Sequence, residues 1–241
     1  MKTIIKKETL NYIETLQFTS SKAKRLLFLQ HGIYGNKEKI MNLLGVSFVK
    51  IGYHVIAIDA YKHGSRIEEP FLSKNKDLCE LETMDVVKVT AANLNKLYTE
   101  HFKHIYPTFD IAGISMGGLT AYYLSTLSKD IHHLIALISS PKFLEAAHHH
   151  FPEERQKLYE NSNEVLEHVR TIDPSKRVQD MRFKQLIMMN GIKDTIIPYQ
   201  QSESFYQKYK HTLNMVFKTY DADHKITKDM HEDLLALLKE D

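Results

Sequence analysis

The sequence predicts an α/β fold: one domain with a mostly parallel central sheet, helices on both faces and a small helical cap inserted over residues 142–181. Three observations predict it. Short, continuously apolar runs alternate with longer helical patterns, as in a parallel sheet covered on both sides. One run leads into Gly113-Ile114-Ser115-Met116-Gly117-Gly118, a glycine-flanked serine between a strand pattern and a helix pattern. Finally, His31, Asp59, Ser115, Asp194 and His224 each fall just after a strand run, at the sheet edge where such folds gather their chemistry.

In order, Thr3–Leu10 and Tyr12–Phe18 read as an antiparallel hairpin turning near Asn11. Arg25–Gln30 is a continuous apolar strand, followed by His31-Gly32-Ile33-Tyr34-Gly35-Asn36-Lys37. A helix follows over Lys37–Ile51 with Asn36 as N-cap, and Gly52 closes it. His54–Asp59 is the next strand and Ala60–Arg66 its loop; 67–76 is irregular. An amphipathic helix over Asp77–Phe102 shows Val86, Val89, Ala92 or Asn93, Leu94 and Leu97 as its inner face. Phe109–Ala112 is the strand before the serine, whose helix runs to about Ser128, and Leu134–Ile138 is the strand after it. The stretch from Lys142 to Met181 is charged, helical and broken by Pro152 and Pro174. It is too long for an ordinary connection, hence the cap. Gln185–Asn190, the helix Tyr199–Lys210, the strand Asn214–Tyr220 and the helix Lys228–Lys239 complete the chain.

Composition narrows the class. The chain of 241 residues is 43% apolar, enough to bury a substantial core. Its 32 basic and 30 acidic residues leave a net charge of +2, so nothing electrostatic points to nucleic acid or an anionic membrane as partner. Lysines interrupt the first residues before a signal-peptide core can form, and no run is long enough to span a membrane. The lone Cys79 permits no internal disulfide and suits a cytoplasmic location. The sequence leaves the oligomeric state open, a homodimer included.

The serine turn carries the chemistry. A G-x-S-x-G elbow holds its hydroxyl above the sheet, over the N-terminus of the next helix. Such a serine needs a base, and the base needs an acid to fix its tautomer. In the chain order serine, acid, histidine these are Ser115, Asp194 and His224. Asp194 also reads as a turn or N-cap residue; Asp221 and Asp223 are rival acids and His231 a rival base. Two backbone N–H groups would hold the oxyanion: Met116, after the nucleophile, and Ile33, in the His31-Gly32-Ile33 loop. His31 reads as an organiser of that loop. Arg66 reads as a structural ion-pair partner or a binder of a substrate carboxylate.

The elements Gln30-His31-Gly32-x-x-Gly35-Asn36-Lys37, Asp59-Ala60-x-x-His63-Gly64-x-Arg66, Gly113-x-Ser115-Met116-Gly117-Gly118, Gly191-x-x-Asp194 and Asp223-His224 together resemble an α/β-hydrolase. Within that fold the chain is similar to small bacterial carboxylesterases related to dienelactone hydrolase and to the prolyl-oligopeptidase catalytic domain. The resemblance covers nearly the whole chain. It implies hydrolysis of short-chain carboxylic esters through an acyl-serine, with no cofactor and no metal. The chain departs from dienelactone hydrolase in having Ser115 where that enzyme has cysteine, and from the oligopeptidases in lacking their propeller.

Two other functional readings stand beside the ester hydrolase. One is a peptidase or amidase on the same triad, with Glu68-Glu69 or Glu153-Glu154 anchoring an amino terminus. The other is a non-catalytic small-molecule binding protein of the same fold. The tract His148-His149-His150 reads as solvated cap surface, since consecutive side chains point apart. His132-His133 shows no carboxylate or thiolate at ligand spacing in sequence.

Overall fold

Successive residues of the inner strands alternate between two apolar layers. In β3 (Arg25–Gln30), Leu26 and Phe28 join one layer, Leu27 and Leu29 the other. In β7 (Gln185–Gly191), Leu186 and Met188 face one way, Ile187 and Met189 the other. A continuous apolar run is therefore a strand buried on both faces. The computed structural model describes residues 2–67, 76–150 and 162–239, with backbone alone at 76–81, 150 and 162–165. The glutamates at 68–69 and 153–154, Pro152, the Cys79 side chain and the middle of the 142–181 insertion lie outside the described residues.

Among the described residues the sheet has eight strands in the order β1-β2-β4-β3-β5-β6-β7-β8. The others are β1 (Ile4–Leu10), β2 (Ile13–Thr19), β4 (Tyr53–Ile58), β5 (Phe109–Ile114), β6 (Ile131–Leu137) and β8 (Met215–Tyr220). β1 and β2 pair antiparallel, as do β2 and β4; every pairing from β4 onward to β8 is parallel. The carboxyl ends of β3 to β8 thus share one edge. Crossovers on either side of β3 open a crevice there.

The helices follow the predicted order with three differences. The helix expected over 37–51 is α1 (Lys37–Ile40), a widened π turn over Met41–Gly45, and α2 (Val46–Lys50). Asn36 caps it as read, its Oδ1 accepting from the Lys39 N–H at 2.8 Å. The widened turn seats Gly45 against Met41 and Phe18, where a Cβ would stand 3.0 Å from Met41 Sδ.

The long helix, α3 (Lys76–Leu97), buries Val86, Leu94 and Leu97 as read, but its inner face is wider than expected: Met84, Val87 and Ala91 are buried too, whereas Ala92 is exposed. Thr90 occupies a buried position that an apolar count passes over, because its Oγ1 accepts from the Tyr61 N–H at 3.0 Å. The helix after the serine, α4 (Met116–Leu124), stops short of Ser128. There Ser125 and Thr126 turn their hydroxyls back onto the Tyr122 and Tyr123 carbonyls.

Between β6 and β7, the described residues of 142–181 form α5 (Phe143–His150), α6 (Ser162–Ile172) and two short 3₁₀ turns. α5 and α6 pack on each other, and α6 also touches α3. The buried Asp173 ties them, accepting from Leu144 N–H through one oxygen and from Ser175 through the other. The chain ends with α7 (Tyr199–Tyr209) and α8 (Lys228–Lys239).

Candidate active site

Ser115 stands between the last residue of β5 and the first of α4, with φ 54° and ψ −117°. An L-residue avoids that region, at a cost of about 1–3 kcal/mol. The surroundings hold it there. Its N–H donates to the Leu137 carbonyl at 2.9 Å, and its carbonyl accepts from Gly118 at 2.8 Å and Leu119 at 3.1 Å. The flanking glycines are required by close backbone approach. A Cβ on Gly113 would lie 2.0 Å from the Gly117 carbonyl oxygen, and one on Gly117 2.3 Å from that of Gln30. The elbow is thus pressed directly against the end of β3.

His224 and Asp194 come from loops after β8 and β7. His224 Nε2 lies 2.9 Å from Ser115 Oγ, and His224 Nδ1 lies 2.7 Å from Asp194 Oδ2. A carboxylate only accepts, so Nδ1 carries the proton and Nε2 faces the hydroxyl with its lone pair. The Asp194 side chain is 0% exposed and that of His224 23%. Asp194 Oδ1 accepts from the N–H groups of Ile196 and Ile197, both at 2.9 Å, so its two oxygens hold the turn and the imidazole at once. The two loops touch at Gly191, where a Cβ would stand 2.3 Å from the Ala222 carbonyl oxygen. Lys193 N–H also donates to that carbonyl, at 2.9 Å.

The loop after β3 lies beside the elbow: a Cβ on Gly32 would be 3.5 Å from that of Ser115. Ile33, next in the chain, packs partly buried on the core. His31 organises this loop, as read. Its Nδ1 donates to the Gly32 carbonyl at 2.8 Å and its Nε2 accepts from Ala60 N–H at 3.0 Å. Acceptance at Nε2 needs the neutral ring, and burial pushes its pKa down to about 4.

Beneath it, Asp59 Oδ1 accepts from the Lys37 N–H at 2.8 Å. Oδ2 accepts from Lys37 Nζ at 2.6 Å and from Ser65 N–H and Oγ, each at 2.8 Å. Burial alone would raise this carboxyl; Lys37 and the Ser65 donors outweigh it and hold it at about 2. Burial likewise works against the Lys37 ammonium, but Asp59 and Glu14 raise it to about 12.

The remaining sequence candidates lie apart from this chemistry. Asp221 and Asp223 are exposed and paired with Lys193 and Lys225. His231 sits within α8. Arg66 donates to the Asp59 carbonyl at 3.1 Å, bracing the loop after β4. His148 and His149 are exposed on α5, and His149 Nε2 meets the Thr195 carbonyl at 2.9 Å, beside Asp194. The buried Lys37–Asp59 pair escaped the sequence reading, which took Lys37 only as a helix start. Nothing local marks a lysine as 2% exposed.

Residues 45–237 match the prolyl oligopeptidase family. A Bacillus subtilis protein named "Putative esterase YitV" is 22% identical over 229 residues, 86% of this chain and 85% of its own length. Among solved structures, TT1662 from Thermus thermophilus superposes with a TM-score of 0.82 at 22% identity, over 100% of this chain and 98% of that one. The Pyrococcus furiosus esterase Pf2001 gives 0.67 at 16% identity, over 99% and 91%. The fold is that of the α/β-hydrolases.

Proposed function

Because the chain belongs to the prolyl oligopeptidase family of hydrolases, we propose that it is a serine carboxylesterase that cleaves short-chain carboxylic esters through an acyl-serine. The observation that carries this reading is the unbroken relay Ser115–His224–Asp194, with contacts of 2.9 and 2.7 Å. Ser115 Oγ attacks the ester carbonyl while His224 Nε2 takes its proton. Asp194 steadies the imidazolium that forms. The N–H groups of Ile33 and Met116 receive the negative charge on the carbonyl oxygen. Met116 is suited to this because the first N–H groups of a helix have no intrahelical acceptor. Collapse of the tetrahedral species expels the alkoxide, which takes the proton from His224; water then repeats the sequence on the acyl-enzyme. The cap over 142–181 lines the acyl pocket in this account, and small esters are the soluble partners of a cytoplasmic enzyme. Among the described residues no helix is long and apolar enough to cross a membrane.

The family match also favours a second reading, a peptidase or amidase on the same triad. Hydrolysis of p-nitrophenyl acetate and butyrate beside aminoacyl p-nitroanilides separates the two. Esters are expected to be turned over well and the amides poorly; the reverse would replace the first reading with the second. Ser115→Ala is expected to abolish turnover and fluorophosphonate labelling while the fold persists. Activity surviving in that variant would remove the Ser115 mechanism, and absence of a fluorophosphonate adduct at Ser115 in the natural chain, with no turnover of either substrate class, would leave a binding protein.

A further inference from the structure

Neighbouring residues of a strand point to opposite faces, yet His132 and His133 of β6 turn their rings to each other. A β-bulge makes this possible. Phe109 pairs with Ile131 and Ile111 pairs with Leu134, so Asp110 alone faces both histidines. The carboxylate that the sequence around His132-His133 does not offer arrives from the adjacent strand. We propose that Asp110, His132 and His133 bind a divalent transition-metal ion of the zinc class, at the opposite end of β5 from Ser115.

The spacing fits. His132 Nδ1 and His133 Nδ1 are 3.1 Å apart, His133 Nδ1 is 3.1 Å from Asp110 Oδ2, and His132 Nδ1 is 3.7 Å from Asp110 Oδ1. A tetrahedral ion with bonds of about 2.0–2.1 Å holds its ligands about 3.3 Å apart. Two imidazoles and one carboxylate suit zinc rather than calcium or magnesium. Two partners compete for one ring nitrogen. His133 Nδ1 is 2.9 Å from Arg25 Nη2, which only donates, and 3.1 Å from Asp110 Oδ2, which as carboxylate only accepts. One ring nitrogen offers a hydrogen or a lone pair, never both. A cation draws on the lone pairs of both nitrogens and the carboxylate together.

Two donors compete for Asp110 Oδ2, the buried Tyr53 hydroxyl and Arg25 at 3.0 Å, and of these Arg25 carries the competing charge. Its side chain is 30% exposed, and its other terminal nitrogen already donates to the Leu238 carbonyl at 2.9 Å, so it has somewhere to withdraw. A cavity of about 270 Å³, bordered by Lys24, Arg25, Tyr106, Asp110 and His132, opens onto the cluster. It provides an entry path and room for a water as fourth ligand.

Titration calorimetry of the full chain with Zn²⁺ alone tests this, and does not depend on the role of Ser115. One ion per chain is expected. His132→Ala, at a partly exposed ligand, is expected to weaken binding at least about tenfold without lowering the metal-free melting temperature. Arg25→Gln, which removes the competing charge, is expected to tighten it. Co²⁺ is expected to give the intense visible absorption of a tetrahedral site, lost in His132→Ala. Absence of stoichiometric binding, or binding equal in His132→Ala and the natural chain, overturns the site. So does binding that disappears in a His148→Ala/His149→Ala variant, which would place the ion on α5.

Discussion

Asp194 shows how one side chain serves two ends. Its Oδ1 fixes the turn through Ile196 and Ile197 while its Oδ2 receives the imidazole. In Asp194→Asn the amide oxygen is expected to keep the turn and the amide NH₂ to face His224. Nδ1 must then accept, Nε2 carries the proton, and the lone pair that would take the Ser115 proton is gone. Turnover should fall by roughly 10³–10⁴-fold with little change in melting temperature, by the logic of the serine triad. Ester kinetics and a thermal melt check it; a loss of both together would mean that Asp194 is structural.

His31 makes a different test. Its folded pKa, about 4, lies below the ordinary 6.5. Its contribution to stability is therefore complete above pH 6.5 and is lost as pH falls from 6.5 towards 4. The slope approaches about 1.4 kcal/mol per pH unit, or about 2 kcal/mol lost by pH 5. Burial lowers His54 and His231 as well, in the same direction, so substitution is needed to isolate the term. Urea unfolding of His31→Gln between pH 7 and 4 should give a flatter stability curve than the natural chain. Parallel curves would refute the assignment.

At the scale of elements, the entry to α1 is fixed from below by a buried ion pair rather than by its cap alone. Asp59 follows β4 directly and accepts from both the backbone and the ammonium of Lys37, joining β4, α1 and the 64–66 turn. Removing the carboxylate leaves a buried cation whose remaining counter-charges, Glu14 and Glu38, are half-exposed. Asp59→Asn is expected to cost about 3 kcal/mol, a fall in melting temperature of roughly 6–12 °C for a chain of this size. Because the same pair supports the loop that carries Ile33, ester turnover should fall too. Differential scanning calorimetry and ester kinetics on one preparation would show whether the two losses travel together. Such a pair is invisible to periodicity: a lysine at a helix start is ordinarily solvated, and only the approach of β4 makes it otherwise. The burial of Thr90 on α3 has the same origin, since the Tyr61 N–H reaches its hydroxyl.

Across the whole molecule, protection should follow burial from the middle of the sheet outward. β3, β5, β6 and β7 are nearly buried throughout, whereas β1 is mostly exposed on an open edge, with Lys6 and Lys7 facing water. Hydrogen exchange is expected to release β1 first and β5 last, by several kcal/mol of opening free energy. Uniform protection across the strands would contradict this layering. The succession of strands along the chain, the antiparallel hairpin included, followed from apolar runs because burial on both faces leaves few alternatives to them; their order in the sheet did not. Arg25–Gln30 and Lys228–Lys239 were legible to the residue. The placement of His31, Ser115, Asp194 and His224 just after strands was legible as well, though β5 and β7 run one or two residues further than read, since chain order and the glycine-serine turn are local facts. What local sequence does not encode is which side chains meet across strands. The approach of His224 to Asp194 and Ser115, the burial of Lys37 on Asp59 and the facing of Asp110 with two adjacent histidines each depend on register, loop path and a bulge. Those are set by packing between segments distant in the chain, and so only the folded structure decides them.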